Sequence, residues 1–166
     1  MLILAASNGH NLRLAEQVSR QATASGLVSD LIDLVALDLP LYTPAREASG
    51  AGESLQVLIR GLREHHRLWV CAPEYNGSSP PSLTSAIAWL SRSTDDFRAL
   101  FNGMPVVLSS HSAGGGQKAL IALRIQFAHL GCQVLGRELL CSPHKSANPD
   151  SIDALLSELH RLPAAG

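Results

Sequence analysis

The chain has 166 residues, of which 46% are hydrophobic and 16% are charged, and its formal net charge is −1. This length and composition predict a single globular domain over residues 1–166, with a sizeable core, and they argue against a disordered chain. The near-zero charge, without any run of Lys or Arg, argues against a nucleic-acid partner bound through a basic surface.

The same sequence predicts where the protein resides and how its thiols behave. No apolar run reaches transmembrane length, and no basic signal-peptide segment precedes the first apolar run, so we expect a cytoplasmic protein with no membrane partner. Cys71, Cys132 and Cys141 are odd in number and lack metal-site or CxxC spacing. They are therefore expected to be reduced thiols, and no metal site is predicted.

The chain opens with an apolar run, residues 2–6, that predicts a buried strand. A turn over residues 7–11, Ser-Asn-Gly-His-Asn, then leads into a predicted helix from about Leu12 to Ala24. Free N–H groups and the helix dipole favour an anion at such a helix start. Ser7 and Asn11 could complete a phosphate cradle without a full positive charge. Taken alone, the turn fits phosphate binding and an ordinary helix start equally well.

The next elements carry less chemical information. A partly exposed second strand is predicted over residues 27–34, then a loop from Ala36 to Gly52, then a helix from a Ser54 cap to about His66. The helix places apolar residues on one face by its i, i+3, i+4, i+7 spacing. The two adjacent histidines at its end have no third ligand nearby, which favours a solvated pair over a metal site.

The most informative stretch is residues 73–78, Pro-Glu-Tyr-Asn-Gly-Ser. It follows a third predicted strand, residues 68–72, and precedes a helix that opens at Pro80-Pro81 and ends near Ser93. Gly77 permits a positive φ, which would let a flat ligand approach the backbone closely. Tyr75 offers a ring for stacking, and Asn76 and the backbone amides offer hydrogen bonds to ring edges. The alternative is an ordinary strand-to-helix loop rich in turn formers.

The last third of the chain predicts two more strands. Residues 104–108 form the fourth, followed by a loop over residues 109–117 with three consecutive glycines and a helix that Gly131 ends. Those glycines are entropically costly, which favours a close approach of backbone amides to a ligand over a flexible linker. Residues 134–140, interrupted by Gly136, predict the fifth strand. Asn148 is expected to cap the final helix, and the tail after Pro163 to be loose.

Strands and helices that alternate five times predict an α/β fold: a doubly wound, five-stranded parallel sheet with helices on both faces. If the strand order is 2-1-3-4-5, the loops after strands 1, 3 and 4 meet at one edge of the sheet. Ligands of such folds bind at that edge, where the strand order reverses. We therefore predict one site built from a first loop (residues 7–12), a second loop (73–78) and a third loop (109–115).

The second loop and the helix after it, through Ser91, closely resemble the PEYNGS signature region of the NADPH-dependent FMN reductase family. Residues 109–131 are similar to the Ser/Gly-rich loop and helix of that family. The resemblance implies a flavodoxin-like fold, FMN as cofactor and NADPH (or NADH) as electron donor. It also implies ping-pong transfer of hydride through flavin N5 to a small acceptor: a flavin, quinone, azo compound or metal oxyanion. Because the cofactor carries this chemistry, no catalytic side chain is expected.

The resemblance also assigns parts to the three loops. The first would hold the FMN phosphate, the second would frame the isoalloxazine with Tyr75 against the ring, and the third would close the other side. The candidate cofactor-binding residues are Ser7, Asn8, His10, Asn11 and Leu12 in the first loop, Pro73, Glu74, Tyr75, Asn76, Gly77 and Ser78 in the second, and Ser109, His111, Gly114 and Gly115 in the third. His10 stands where the family usually has Arg or Ser. Glu74 and His111 are the candidates for proton supply, with loop orientation as their alternative role.

Family members usually dimerise, so the resemblance implies a homodimer or homotetramer. Trp89 and the loop at Leu41-Tyr42 are candidate interface groups, although a lone helical aromatic is more often in the core. Two alternatives to a reductase stay open: a non-enzymatic flavodoxin-type electron carrier, and a fold relative that has lost its flavin. Electron carriers tend to be acidic around the flavin, whereas this chain is nearly neutral.

Overall fold

A parallel sheet with helices on both faces organises the chain. We describe it from a computed structural model that covers residues 1–164; the end of the tail that we expected to be loose lies outside the described residues. The elements in chain order are β1 (Leu2–Ala5), α1 (His10–Ala24), β2 (Asp30–Asp33), α2 (Leu34–Leu37), α3 (Pro44–Glu47), α4 (Gly52–Glu64), β3 (Leu68–Cys71), α5 (Pro81–Arg92), β4 (Pro105–His111), α6 (Gln117–His129), β5 (Gln133–Val134), β6 (Leu139–Cys141) and α7 (Pro149–Arg161).

The strand order is β2-β1-β3-β4-β5, as predicted, and β6 also pairs with β4. All of these ladders are parallel. The register places Leu4 opposite Val70, and Val70 opposite Leu108. Because the central strands are parallel and aligned in register, the loops that follow β1, β3 and β4 lie next to one another at the C-terminal edge of the sheet.

The predicted fifth strand is divided in two around Gly136. β5 pairs with the start of β4, and β6 pairs with its end, from Ser109 to His111. Between them Glu138 leaves the sheet to bind Arg124 of α6, with 2.7 Å between the carboxylate oxygen and a guanidinium nitrogen. β6 therefore supports the part of β4 that approaches the predicted site.

Two apolar layers show why helices cover both faces. Successive residues of a strand point to opposite faces, so Leu2 and Leu4 belong to one layer while Ile3 and Ala5 belong to the other. The first layer packs against α4, α5 and α6, and the second against α1 and α7. The buried runs Leu2–Ala5 and Leu68–Cys71 are apolar throughout because both faces of the central strands are covered.

Several local predictions need correction. The short helix α2 begins at the last residue of the predicted second strand and runs into the predicted loop over residues 36–52, and α3 lies within that loop. The helix α4 begins at Gly52 instead of being capped by Ser54. The left-handed backbone at Gly50 and Gly52 turns the chain into the helix at that point. The cap at Asn148 is confirmed, because its side chain accepts a hydrogen bond from the Asp150 N–H. Gly131 has a φ of 88° and follows the end of α6, as predicted.

Trp89 belongs to the core rather than to a surface. Its side chain is 2% exposed, and its indole N–H donates to the Pro40 carbonyl at 2.7 Å. Tyr42 packs edge-on against the same indole. Trp89 is therefore not available as an interface group, whereas Leu41 beside it is 65% exposed.

Among residues 1–164, no helix combines the length and the apolar character that crossing a membrane requires.

Candidate functional site

A cleft of about 310 Å³ opens at the C-terminal edge of the sheet, where the three predicted loops meet. It is lined by Ser7, Asn8, Gly9, His10 and Asn11 from the first loop, Pro73, Glu74 and Tyr75 from the second, and His111, Ser112 and Ala113 from the third. Gly9, Ser112 and Ala113 were not among the predicted site residues, although all three lie within the predicted loops. The predicted convergence of the loops is thus present in the structure.

The first loop ends at the start of α1, two residues earlier than predicted. Gly9 is the N-cap residue and makes no side-chain capping bond, and the first backbone bond of the helix runs from Arg13 N–H to the Gly9 carbonyl. The N–H groups of His10, Asn11 and Leu12 consequently precede the first helical hydrogen bond and have no intrahelical acceptor. The Leu12 side chain packs against the core layer under α1, so only its backbone can serve a ligand.

Asn11 has a structural task that the sequence did not reveal. Its side-chain N–H donates to the His111 carbonyl at 3.0 Å, and its amide oxygen accepts from the His111 N–H at 2.8 Å. The side chain is 2% exposed. Asn11 therefore joins the first loop to the end of β4. The prediction that its amide completes a phosphate cradle needs correction, since the amide is buried, binds His111 through its oxygen and its nitrogen, and its nitrogen also lies 3.5 Å from the Ser7 hydroxyl.

The second loop is a tight hairpin. Tyr75 and Ser78 exchange two backbone hydrogen bonds of 3.0 Å around Asn76 and Gly77. Those two residues have φ values of 52° and 73°, the paired left-handed conformation of a type I′ turn, which Asn-Gly favours. Within residues 1–164 their N–H groups have no partner. The hairpin tip lies outside the cleft lining, and Tyr75, 49% exposed, stands at the rim.

Glu74 ties the second loop to the third. Its carboxylate accepts hydrogen bonds from the N–H groups of Lys118 and Ala119 at 3.0 and 3.4 Å, in the first turn of α6. Its own N–H donates to the Ser112 hydroxyl at 2.7 Å. The N-cap residue of α6 is Gly116, which offers no side-chain acceptor, and the Glu74 carboxylate takes that place. The geometry favours loop orientation over proton supply for this residue.

The third loop is shorter than predicted because β4 continues to His111. Ser109 consequently lies inside the sheet: it is fully buried, accepts from the Trp69 indole N–H at 2.9 Å and donates to the Val70 carbonyl at 2.8 Å. Its prediction as a cofactor contact is corrected, since no ligand in the cleft can reach it. Gly114 and Gly115 lie in the loop beyond the cleft lining, with Gly114 beside the Glu74 carboxylate.

His10 and His111 stack on each other at the phosphate end of the predicted site. Their ring centroids are 4.3 Å apart and their planes differ by 10°. Burial is the main cause that lowers the pKa of His111 below its ordinary value, and the neighbouring His10 adds to it. His10 is the first residue of α1 and His111 is the last residue of β4. The stacked rings therefore connect the same two elements that Asn11 joins by hydrogen bonds.

The thiols take no part in the cleft. Burial raises the pKa of Cys71 and of Cys132 to about 12, so both stay protonated near neutral pH and are poor nucleophiles. All three cysteines are free. In the part of the chain that the structure describes, no cluster of three or more His, Cys, Asp or Glu side chains could hold a metal ion.

Comparisons with known proteins agree with this architecture. Among solved structures, the flavoenzyme NAD(P)H:(acceptor) oxidoreductase FerB of Paracoccus denitrificans matches with a TM-score of 0.75 and 19% identity over 97% of this chain and 96% of that one. A flavodoxin from the domain Archaea matches with a TM-score of 0.65 and 12% identity over 95% and 93%. At these identities the likeness shows the fold, which is flavodoxin-like as predicted.

Sequence comparison shows the family. A quinone reductase of Escherichia coli is 31% identical over 130 residues, which cover 76% of this chain and 66% of that protein. The model of the NADPH-dependent FMN reductase family matches residues 1–146, which include all three loops of the cleft. This chain therefore belongs to the NADPH-dependent FMN reductase family, a family of flavin enzymes that use FMN and NAD(P)H.

Proposed function

We propose that this chain, as an FMN-dependent NAD(P)H oxidoreductase, passes hydride from NAD(P)H to a small electron acceptor by a ping-pong mechanism. When bound, FMN supplies the redox chemistry, by accepting hydride at N5 and yielding electrons to the second substrate. The observation that carries the proposal is the convergence of the three loops on one open cleft. Because a relative is named a quinone reductase, a quinone is the acceptor that we would test first.

The donor groups of the first loop fit a phosphate. The N–H groups of His10, Asn11 and Leu12 have no intrahelical acceptor, and the Ser7 hydroxyl lies in the cleft lining beside them. Convergent N–H groups at a helix start form a ready site for a phosphate. We propose that these groups hold the FMN phosphate while Asn11 fixes their position through His111.

The second loop fits the edge of a flat ring system. Tyr75 presents an exposed ring at the rim, and the unpartnered N–H groups of Asn76 and Gly77 point to a ligand with acceptor atoms on its edge. The type I′ turn holds these groups rigidly, which limits the entropy lost on binding. We propose that Tyr75 contacts the isoalloxazine and that the two amides serve its pyrimidine edge. Glu74 keeps the loop in place through α6.

The side chains of the cleft are consistent with a reaction in which the cofactor, and not a side chain, transfers the electrons. Hydride transfer needs no side-chain nucleophile, and the buried Cys71 thiol, with its raised pKa, offers none. Glu74 is engaged with α6, which leaves His111 as the cleft residue to test for proton supply. Tyr75 lines the cleft and about half of it is exposed, so we propose that the donor and the acceptor use the same space in turn, as in a single-site ping-pong mechanism.

We also propose a cytoplasmic homodimer or homotetramer, with the exposed Leu41 in the interface. The test is light scattering coupled to size exclusion, with Leu41→Ser as the variant. A monomeric wild-type protein would contradict the proposed assembly, and an unchanged mass for the variant would remove Leu41 from the interface.

The decisive experiment is the visible spectrum of the purified protein, before and after added FMN, followed by anaerobic NADPH and then NADH. We expect a flavin spectrum that bleaches with pyridine nucleotide and recovers when a quinone is added. Parallel double-reciprocal lines would support the ping-pong mechanism. Flavin that only dithionite can reduce would favour an electron carrier, and no flavin binding at all would refute the proposal.

A further inference from the structure

The cleft lacks a permanent positive charge. Among its described lining residues there is no Lys or Arg, and the ionisable groups are His10, His111, Glu74 and Tyr75. The carboxylate of Glu74 is bonded to the N–H groups of α6 rather than to either histidine. A phosphate dianion placed there would gain charge compensation from a side chain of the lining only if one of the histidines carried a proton.

The two histidines can together carry one such proton. Their rings stack 4.3 Å apart, and a second positive charge at that distance would be strongly disfavoured. The pair is held in place because Asn11, the residue after His10, makes two hydrogen bonds with the backbone of His111. The stack therefore offers one positive charge beside the free N–H groups of α1, and whether it does so depends on pH.

The surroundings of the pair affect its protonation from several elements. The titratable and charged groups around it are Glu74 and Tyr75 in the cleft, Arg13 on α1, Cys141 at the end of β6 and Lys145 in the turn that follows. Burial and the neighbouring imidazole lower the pKa of His111. Without an anion, protonation of His111 is thus disfavoured, and a bound dianion is the group that would reverse this preference.

We propose that the His10–His111 pair takes up one proton when FMN binds and so supplies the positive charge of the phosphate site. The inference rests on the proposed function, since it concerns the same cleft. Linkage fixes its sign: the complex holds more protons than the free protein, so FMN affinity falls as pH rises. If FMN raises the pKa of the pair by one unit, affinity changes about tenfold. A flavin without phosphate would not cause the uptake.

The test compares FMN with riboflavin, which lacks the phosphate, by quenching of flavin fluorescence at pH 6.5 and 8.5. The phosphate itself has a second pKa of about 6, so it is mostly dianionic throughout this range. We expect the Kd for FMN to rise about three- to fivefold between the two pH values, because pH 6.5 lies at or above the ordinary histidine pKa and the tenfold limit is reached only below the pKa of the free pair. The Kd for riboflavin should stay constant. Calorimetry in two buffers of different ionisation enthalpy should show proton uptake with FMN and none with riboflavin.

Variants of the two histidines test the source of the charge. The double variant His10→Gln/His111→Gln should bind FMN weakly at both pH values, and His10→Arg, with its permanent charge, should bind it tightly at both. Arg20→Gln is the matched control: it removes a positive charge from an exposed position farther along α1 and leaves the pair and its neighbours intact, so it should retain the pH dependence. His66→Gln, at the opposite edge of the sheet, controls for loss of a histidine.

Three results would overturn the inference. They are an FMN affinity that does not change with pH in the wild-type protein, a pH dependence that survives in the double variant His10→Gln/His111→Gln, and one that disappears in Arg20→Gln. Each leaves FMN binding itself intact, so the proposed function stands. Failure of both FMN and riboflavin to bind would instead overturn the proposed function together with the inference.

Discussion

Gly116, the N-cap residue of α6, is the position where a single added carbon should cost most. Its φ is 81°, and a Cβ there would lie 2.5 Å from the Ser110 Cβ and closer still to the Ser110 hydroxyl oxygen. Ser110 is fully buried, so it has little room to move. The left-handed backbone costs an alanine about 1–2 kcal/mol, and the overpacking adds about 1–3 kcal/mol. We expect Gly116→Ala to lower the free energy of unfolding by about 2–5 kcal/mol.

Gly115→Ala separates the two contributions to that loss. Gly115 has a φ of 90°, but nothing lies within 4 Å of the Cβ position, so only the backbone cost of about 1–2 kcal/mol applies. Urea unfolding followed by circular dichroism gives both values from the midpoints and slopes. If Gly116→Ala is no less stable than Gly115→Ala, the close approach of Gly116 to Ser110 is not what requires glycine, and the predicted overpacking is refuted.

Three further predictions concern the site and the core. Tyr75→Ala should raise the Kd for FMN about two- to tenfold, as expected for one lost aromatic contact, without changing the urea midpoint, because half of the ring is already exposed; an unchanged Kd would contradict the role of Tyr75. Glu74→Gln keeps the shape of the side chain but removes its charge from the start of α6, so the free energy of unfolding should fall by about 0.3–1 kcal/mol; urea unfolding measures this, and equal stability would argue against the cap. Burial raises the pKa of Cys71 and Cys132 to about 12 from an ordinary value of 9.0. The unfolded chain therefore loses these protons first, and the free energy of unfolding should fall by up to about 1.4 kcal/mol per pH unit for each thiol above the ordinary pKa. Cys132→Ala should show a shallower fall in urea titrations between that pKa and 12, and an identical slope would refute the assignment.

The fold was predictable because the apolar runs of the central strands are buried on both faces. Residues 2–6 and 68–72 had to be parallel strands with helices on each side, and the observed order follows the predicted one. The divided fifth strand was not predictable in detail. Gly136 marked a break, but the bounds of β5 and β6 follow from their pairing with opposite ends of β4, which the local sequence does not specify.

The position of the site was predictable for a related reason. Three polar loops after neighbouring parallel strands have to meet at one edge, and the family resemblance selected the same loops. The tasks of single residues were less accessible. Asn11, Glu74 and Ser109 are polar residues in or beside ligand-binding loops, so each was assigned to the ligand. Each of these side chains instead forms a hydrogen bond with a residue far along the chain: His111, Lys118 and Trp69 respectively.

Those distant partners give the cleft its rigidity. Asn11 joins the first loop to the end of β4, and Glu74 joins the second loop to the start of α6. All three loops are thus fixed to the sheet and to one another by protein groups alone. A ligand that binds there loses little free energy in ordering them, since preorganised groups need not be immobilised on binding. The free N–H groups at the start of α1 and in the Asn76–Gly77 turn are consequently displayed in a fixed arrangement, and the charge of the His10–His111 pair is left as the variable on which affinity depends.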